Sequence, residues 1–256
     1  MTHSFDGRVY IVTGASRGIG FATAKRLAAQ GARVALFARG ADVAAAAASI
    51  GDGAIGIAVD VGERDPMFAA FERTVQAFGR LDGVVNNAGA TMVCRIENLS
   101  EAAIMLQIKA NFLGVVYGSQ AAIPYLRKNG GGRIVNVTSA TARHPEEFPH
   151  LSIYAATKMA AERFTFELRE EVKGDNIGVT AFSPGTADTT FGAAASAEEA
   201  EAGFKRWLDM GPNSDGMMTT DTVAEAIVNC LALPDGTAFD FVELRPNRPT
   251  PKLLRI

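Results

Sequence analysis

The stretch Val9-Tyr10-Ile11-Val12-Thr13-Gly14-Ala15-Ser16-Arg17-Gly18-Ile19-Gly20 joins an apolar run to a glycine-rich turn and then to a helical pattern. A short apolar run closed by a turn signal reads as a buried strand. The glycines fall at Gly14, Gly18 and Gly20, with Ser16, Arg17 and Ile19 between them. Gly14 permits a tight turn, Gly18 lets the backbone approach a pyrophosphate, and Gly20 lets the helix lie close on the strand. The helix that follows then directs its free N–H groups at the phosphates. The spacing is Gly-x-x-x-Gly-x-Gly rather than Gly-x-Gly-x-x-Gly, so the strand–turn–helix context carries the reading of a nucleotide site.

The remaining chain repeats the alternation. Further strands are expected at 33–38, 54–59, 83–86, 133–138, 178–183 and 239–244, after a first at 8–13. Helices are expected near 19–30, 42–50, 66–78, 101–126, 152–172 and 222–233. Strands alternating with helices imply βαβ units and a parallel sheet covered on both faces. The expected fold is a Rossmann-like, doubly wound α/β sheet of about seven strands in one domain spanning 1–256. One segment breaks the rhythm, at about 186–218, where no strand is expected. Inside it Ser196 suits a helix cap, Glu198 and Glu199 suit a first turn, and Phe204, Trp207 and Leu208 fall on one side. An insertion there sits at the carboxyl edge of the sheet, where open α/β folds bind ligands.

Composition narrows the function. The chain has 256 residues, 48% hydrophobic and 21% charged, with a formal net charge of −3. Such a chain fills a core, and it carries no basic field for nucleic acid or a membrane surface. Apolar runs are interrupted short of a membrane span. The first strand begins too near residue 1 for a secretory leader, and a cytoplasmic protein is expected. Cys94 and Cys230 form no motif, as expected of free thiols in a reducing compartment. His144 and His150 have no convergent ligands around them, and no metal is expected.

The end of the second strand selects the nucleotide. An NAD site places an acid there to hold the ribose hydroxyls, but the residues are Phe37-Ala38-Arg39-Gly40. Arg39, with Arg17 from the glycine turn, suits a 2′-phosphate gripped by charge-assisted bonds. The cofactor expected is NADP(H). Further on, Tyr154 and Lys158 stand four apart in a helical pattern and share one face. A fixed ammonium lowers the pKa of a nearby phenol, which makes the pair a candidate proton donor and acceptor for a carbonyl–alcohol interconversion.

Thr13–Gly20, Asp60-Val61, Asn86-Asn87-Ala88-Gly89, Asn111, Ser139, Tyr154–Lys158 and Pro184-Gly185 occur in an order that resembles the short-chain dehydrogenases/reductases over nearly the whole chain. The resemblance implies roles. Asp60 bonds the adenine with Val61 alongside; Asn86 steadies the central strand and approaches the cofactor. Gly89 leaves room for the ribose, and Asn87 and Ala88 beside it are cofactor-binding positions. Asn111 distorts its helix and helps hold a water on Lys158. Ser139 bonds the substrate oxygen, Tyr154 moves the proton, and Lys158 holds the nicotinamide ribose and lowers the Tyr154 pKa. Pro184, Gly185, Ala187 and Thr189 take the carboxamide, with Ala187 where a larger residue is usual. The resemblance also implies a homodimer or homotetramer built through 101–126 and 152–172.

The expected activity is NADPH-dependent reduction of a small-molecule ketone or aldehyde. Two alternatives stand beside it. One is oxidation of an alcohol or 3-hydroxy acid, suggested by Val242-Glu243-Leu244-Arg245-Pro246. The other is a non-catalytic nucleotide sensor, against which the set Asn111, Ser139, Tyr154 and Lys158 argues. Phe191, Phe204, Trp207, Met210, Met217 and Met218 suit either an apolar substrate or packing of the insertion, and the loop 143–150 is a further candidate for the pocket wall.

Overall fold

Seven strands form one sheet in the computed structural model, which describes residues 4–144, 149–189, 196–210 and 216–247. They are β1 (Val9–Thr13), β2 (Arg33–Ala38), β3 (Ala54–Ala58), β4 (Gly83–Asn86), β5 (Gly132–Val137), β6 (Ile177–Pro184) and β7 (Phe241–Leu244). Their spatial order is β3-β2-β1-β4-β5-β6-β7, and every pairing is parallel. The chain builds outward from β1 to β3, then returns to the other side of β1. That reversal opens a crevice between β1 and β4 at the carboxyl ends of the strands.

The apolar runs explain the layers. All five residues of β1 are buried, as a strand covered on both faces requires. Successive side chains alternate between faces. Tyr10 and Val12 join Leu36 in a core closed by Leu27 of α1 (Gly18–Ala29), Val43 of α2 (Asp42–Ile50) and Ile227 of α8 (Thr220–Leu231). Val9 and Ile11 join Phe37 in the opposite core, under Phe71 of α3 (Arg64–Phe78), Leu126 of α5 (Gly114–Lys128) and Leu168 of α6 (Ser152–Val172). Burying a side chain such as Leu or Phe contributes about 1.5–3 kcal/mol, so both faces hold the sheet.

The long helix expected over 101–126 is not continuous. It divides into α4 (Glu101–Ile108), a π-helical turn (Lys109–Leu113) and α5. The wide turn carries Asn111, whose side chain bonds outside the helix. The insertion after β6 contains α7 (Ala197–Met210), whose first turn is capped by Ser196 accepting from the Glu199 N–H at 3.3 Å. Its ends are joined by a parallel bridge between Ala187 and Met218. The Asp188 N–H donates to the Met218 carbonyl at 2.9 Å, and the Met218 N–H donates to the Thr186 carbonyl at 3.0 Å. Phe191, the Pro145–Phe148 part of the candidate loop and the side chains of Phe204, Trp207, Leu208 and Met210 lie outside the described residues.

Candidate active site

The crevice is wired by one threonine. The Thr13 hydroxyl, at the end of β1, accepts from the backbone N–H groups of Asn87 at 3.0 Å and Ala88 at 2.9 Å. Asn87 returns its side-chain NH₂ to the Thr13 carbonyl at 2.9 Å. These bonds fix the glycine turn against the Asn87–Gly89 segment. A Cβ on Gly14 (φ +64°) would stand 2.8 Å from the Ala88 Cα, and one on Gly20 would stand 2.4 Å from the Gly14 carbonyl oxygen. Only hydrogen fits at either position. Gly18 differs: its φ is +61°, and nothing lies within 4 Å of where a Cβ would point. Its backbone faces open space.

That space is a cavity of about 810 Å³ running along the carboxyl ends of the strands. Of the residues expected to hold a cofactor, Gly14, Ser16, Arg17, Gly18, Ile19, Arg39, Asp60, Val61, Asn87, Ala88, Gly89, Pro184, Gly185, Ala187 and Thr189 all line it. Gly20 stands behind the wall as a packing position. Arg17 and Arg39 are exposed at one end, beyond β2. Asp60 turns one carboxylate oxygen back to the Gly62 N–H at 2.9 Å. Asn86 steadies the central strand as expected but does not line the cavity. Its amide faces away from the cavity, donating to the Asn136 side chain at 2.8 Å and to the Ser119 hydroxyl at 3.3 Å. Asn86 is the last residue of β4 and ties it to β5 and α5, while Asn87, beyond the strand, turns to Thr13. Ala187 lines the cavity and packs on the α1-side core.

Ser139, Tyr154 and Lys158 line the other end. Ser139 follows β5; Tyr154 and Lys158 share a face of α6, both buried. The phenol of Tyr154 hydrogen-bonds Ser139. The Lys158 ammonium donates to the Val137 carbonyl at 2.8 Å and lies 5.9 Å from the centre of the Tyr154 ring. Asn111 stands behind the cavity wall, fully buried. Its side chain accepts from the Ala90 N–H at 2.8 Å and donates to the Ala90 carbonyl at 2.8 Å and to Thr157 at 3.0 Å. Asparagine is a poor helix former because its amide competes for backbone partners. Here it binds a neighbouring loop, and the helix widens around it. A Cβ on Gly89 would lie 3.1 Å from the Asn111 oxygen and 3.6 Å from the Lys158 ammonium, so no side chain can intrude there.

The electrostatics differ from the sequence expectation. Burial pushes Tyr154 up to about 12, with the Ser139 bond working the other way. Burial pushes Lys158 down to about 8. Removing water penalises the charged form of each group. At 5.9 Å from the ring, with one donor spent on Val137, the ammonium does not reverse that penalty. Tyr154 therefore holds its proton at neutral pH.

Several lining residues carried no sequence signal: Thr91, Val93, Leu106, Thr141 and Leu151 belong to no motif, and only the fold brings them to the cavity. Leu106 and Ala110 arrive as neighbours four apart on α4 and the π turn. Met217 lines the cavity as well, while Met218 is buried in the α1-side core.

Glu199 also exceeds its reading as a first-turn charge. It is buried, accepts from the Arg95 N–H at 3.0 Å and the Asn98 amide, and pairs with the Arg95 guanidinium at 3.2 Å. The Arg95 N–H, then Asn98 and the guanidinium, hold its carboxyl at about 2. This docks α7 on the chain between β4 and α4. A carboxyl lowered from 4.5 to about 2 contributes at neutral pH, and the contribution fades as pH falls through that interval. Glu199→Ala is expected to speed tryptic cleavage after Lys205 and Arg206 at least about threefold, since local opening sets that rate. Cleavage at the wild-type rate would show that Glu199 does not hold α7.

Comparison with known proteins agrees with this geometry. Residues 8–200 match the family described as short chain dehydrogenase. An uncharacterized oxidoreductase of Staphylococcus epidermidis is 30% identical over 240 residues, covering 93% of this chain and 97% of that protein. Among solved structures, a 3-ketoacyl-(acyl-carrier-protein) reductase from Brucella melitensis, complexed with NADH, is similar with a TM-score of 0.82 and 28% identity, over 96% of this chain and 99% of that one. An alcohol dehydrogenase from the archaeon Thermococcus sibiricus, complexed with 5-hydroxy-NADP, matches with a TM-score of 0.80 and 28% identity, over 95% and 98% of the two chains.

Proposed function

The chain belongs to the short-chain dehydrogenase family, and from that premise we propose that it is an NADP(H)-dependent oxidoreductase reducing a ketone or aldehyde to an alcohol. One observation carries this reading. A single cavity has the glycine turn with Arg17 and Arg39 at one end and Ser139, Tyr154 and Lys158 at the other. The open space over Gly18 and the bare wall at Gly89 suit a dinucleotide lying between them. When bound, the nicotinamide cofactor supplies the hydride.

The chain's own residues supply position and protons. Arg17 and Arg39 hold a 2′-phosphate, and no carboxylate stands at Phe37-Ala38-Arg39 to select ribose hydroxyls instead. Asp60 and Val61 flank the adenine; Asn87 and Ala88 support the ribose side. Pro184, Gly185, Ala187 and Thr189 orient the carboxamide. Ser139 donates to the substrate oxygen, where negative charge grows in the transition state. Tyr154 gives that oxygen its proton, a role suited to a phenol that stays protonated at neutral pH. Lys158 holds ribose hydroxyls and, with Asn111 behind it, returns a proton to Tyr154. The two ends of the insertion, at Thr186–Thr189 and at Met217, reach the cavity wall, which supports a part for this segment in admitting substrate. Self-association as a homodimer or homotetramer through α4–α5 and α6 belongs to the same reading, supported by exposed Met105 and Met159 on those helices.

The test is consumption of NADPH and NADH by the purified protein with a panel of ketones, aldehydes, diketones and quinones. Turnover is expected with NADPH for at least one carbonyl class, and not with NADH. Oxidation of alcohols or 3-hydroxy acids with NADP⁺, without any carbonyl reduction, would favour the oxidative alternative. Tight NADPH binding without turnover in either direction would favour the sensor.

A further inference from the structure

Thr141 lies outside every motif read from the sequence, yet its hydroxyl donates to the Ser139 oxygen at 2.9 Å. Its backbone N–H donates to the same oxygen at 3.3 Å. The backbone bond is ordinary capping, because Ser139 caps the short 3₁₀ turn Ala140–Ala142. The hydroxyl bond is not required by the cap. Thr141 is buried and lines the cavity.

A serine hydroxyl has one proton to donate and two lone pairs to accept with. Both lone pairs of Ser139 are met by Thr141. The Ser139 proton must then leave in the remaining direction, toward the Tyr154 oxygen that it bonds. With the phenol oxygen accepting there, the Tyr154 proton is left pointing into the cavity, where a carbonyl oxygen would take it. We propose that Thr141 is a positioning residue: it fixes the Ser139 hydroxyl as a donor, to the Tyr154 oxygen in the free site and to the substrate oxygen once one is bound. The inference deepens the reductase reading and rests on it for the substrate oxygen, but the Thr141–Ser139–Tyr154 chain is a property of the free protein.

The experiment combines Thr141→Val, Thr141→Ser, Ser139→Ala and the double variant Ser139→Ala/Thr141→Val. Valine keeps the shape and the backbone N–H while removing the hydroxyl; serine restores it. In protein labelled at the tyrosine ¹³Cζ, the Tyr154 resonance is assigned by its loss in Tyr154→Phe. At neutral pH that resonance is expected to move in Thr141→Val and in Ser139→Ala, to stay in place in Thr141→Ser, and to move no further in the double variant than in Ser139→Ala. With any carbonyl that the wild type reduces, Thr141→Val is expected to lower kcat about tenfold with KM little changed, and to add nothing to Ser139→Ala. An unmoved resonance in Thr141→Val, or independent effects in the double variant, would overturn the proposal. Absence of wild-type turnover would count against the reductase reading alone, since the resonance decides the positioning role without substrate.

Discussion

Tyr154→Phe is expected to lower turnover about 10²–10⁴-fold, the range that a positioned acid contributes, while NADPH affinity stays within about twofold of wild type. Phenylalanine keeps the ring that Lys158 faces at 5.9 Å and removes only the oxygen. It also leaves the Ser139 proton without its partner in the free site, so stability falls slightly rather than collapsing. The pH dependence follows from the two buried groups. Tyr154, raised to about 12, stays protonated throughout the usual range. Lys158, lowered to about 8, holds its proton below that value and loses it above. Reduction is therefore expected to weaken as pH rises through about 8, because in the proposed relay the proton that refills Tyr154 comes from Lys158. Steady-state rates and NADPH fluorescence titration check both statements. Turnover within tenfold of wild type in Tyr154→Phe would remove Tyr154 from the proton path.

Arg39→Asp is expected to reverse the cofactor preference. A hydrogen bond to a charged group contributes about 1.5–3 kcal/mol, equivalent to about 10–100-fold in affinity. The substitution removes that attraction and sets a carboxylate against a 2′-phosphate, so the loss for NADPH is expected to exceed about 100-fold. NADH carries no such phosphate, and aspartate at the end of β2 offers its ribose hydroxyls an acceptor. Its affinity is expected to rise several-fold. Arg17, on the glycine turn at the same end of the cavity, keeps NADPH binding from vanishing. Equal affinity of the wild type for both dinucleotides would contradict the selectivity argument before any variant is made.

The strands were legible because their apolar runs are short and bounded by turn residues. The 152–172 helix was read with the bounds found, Ser152–Val172. The 101–126 helix was read as one element, because its apolar pattern runs through Asn111 without a gap, and only the family resemblance implied the distortion at Asn111 that the π turn shows. A π turn comes from tertiary bonds, here Asn111 to Ala90 and Thr157, and hydrophobic periodicity does not record those. Asn86 was read correctly as steadying the central strand, but its approach to the cofactor was misread. Two adjacent asparagines look alike in a motif, but the strand ends between them, and one turns to β5 while the other turns to Thr13. The pKa expectation at Tyr154 failed because sequence spacing gives proximity to Lys158 and says nothing of burial. Thr91, Thr141 and Leu151 were invisible, since each reaches the cavity from a separate loop and none has a local signature.

The Ala187–Met218 bridge has a consequence for how such a chain diversifies. Ala187, just beyond β6, and Met218, just before α8, are joined by an isolated parallel bridge, so the polypeptide between them leaves and returns at one neck. Lengthening a closed loop costs little, about 0.6 kcal/mol per doubling. Sequence between the two anchors can therefore be exchanged as a cassette. The neck keeps Ala187 on the cavity wall, and an exchanged segment would have to retain a partner for Arg95 and Asn98 where Glu199 now docks α7.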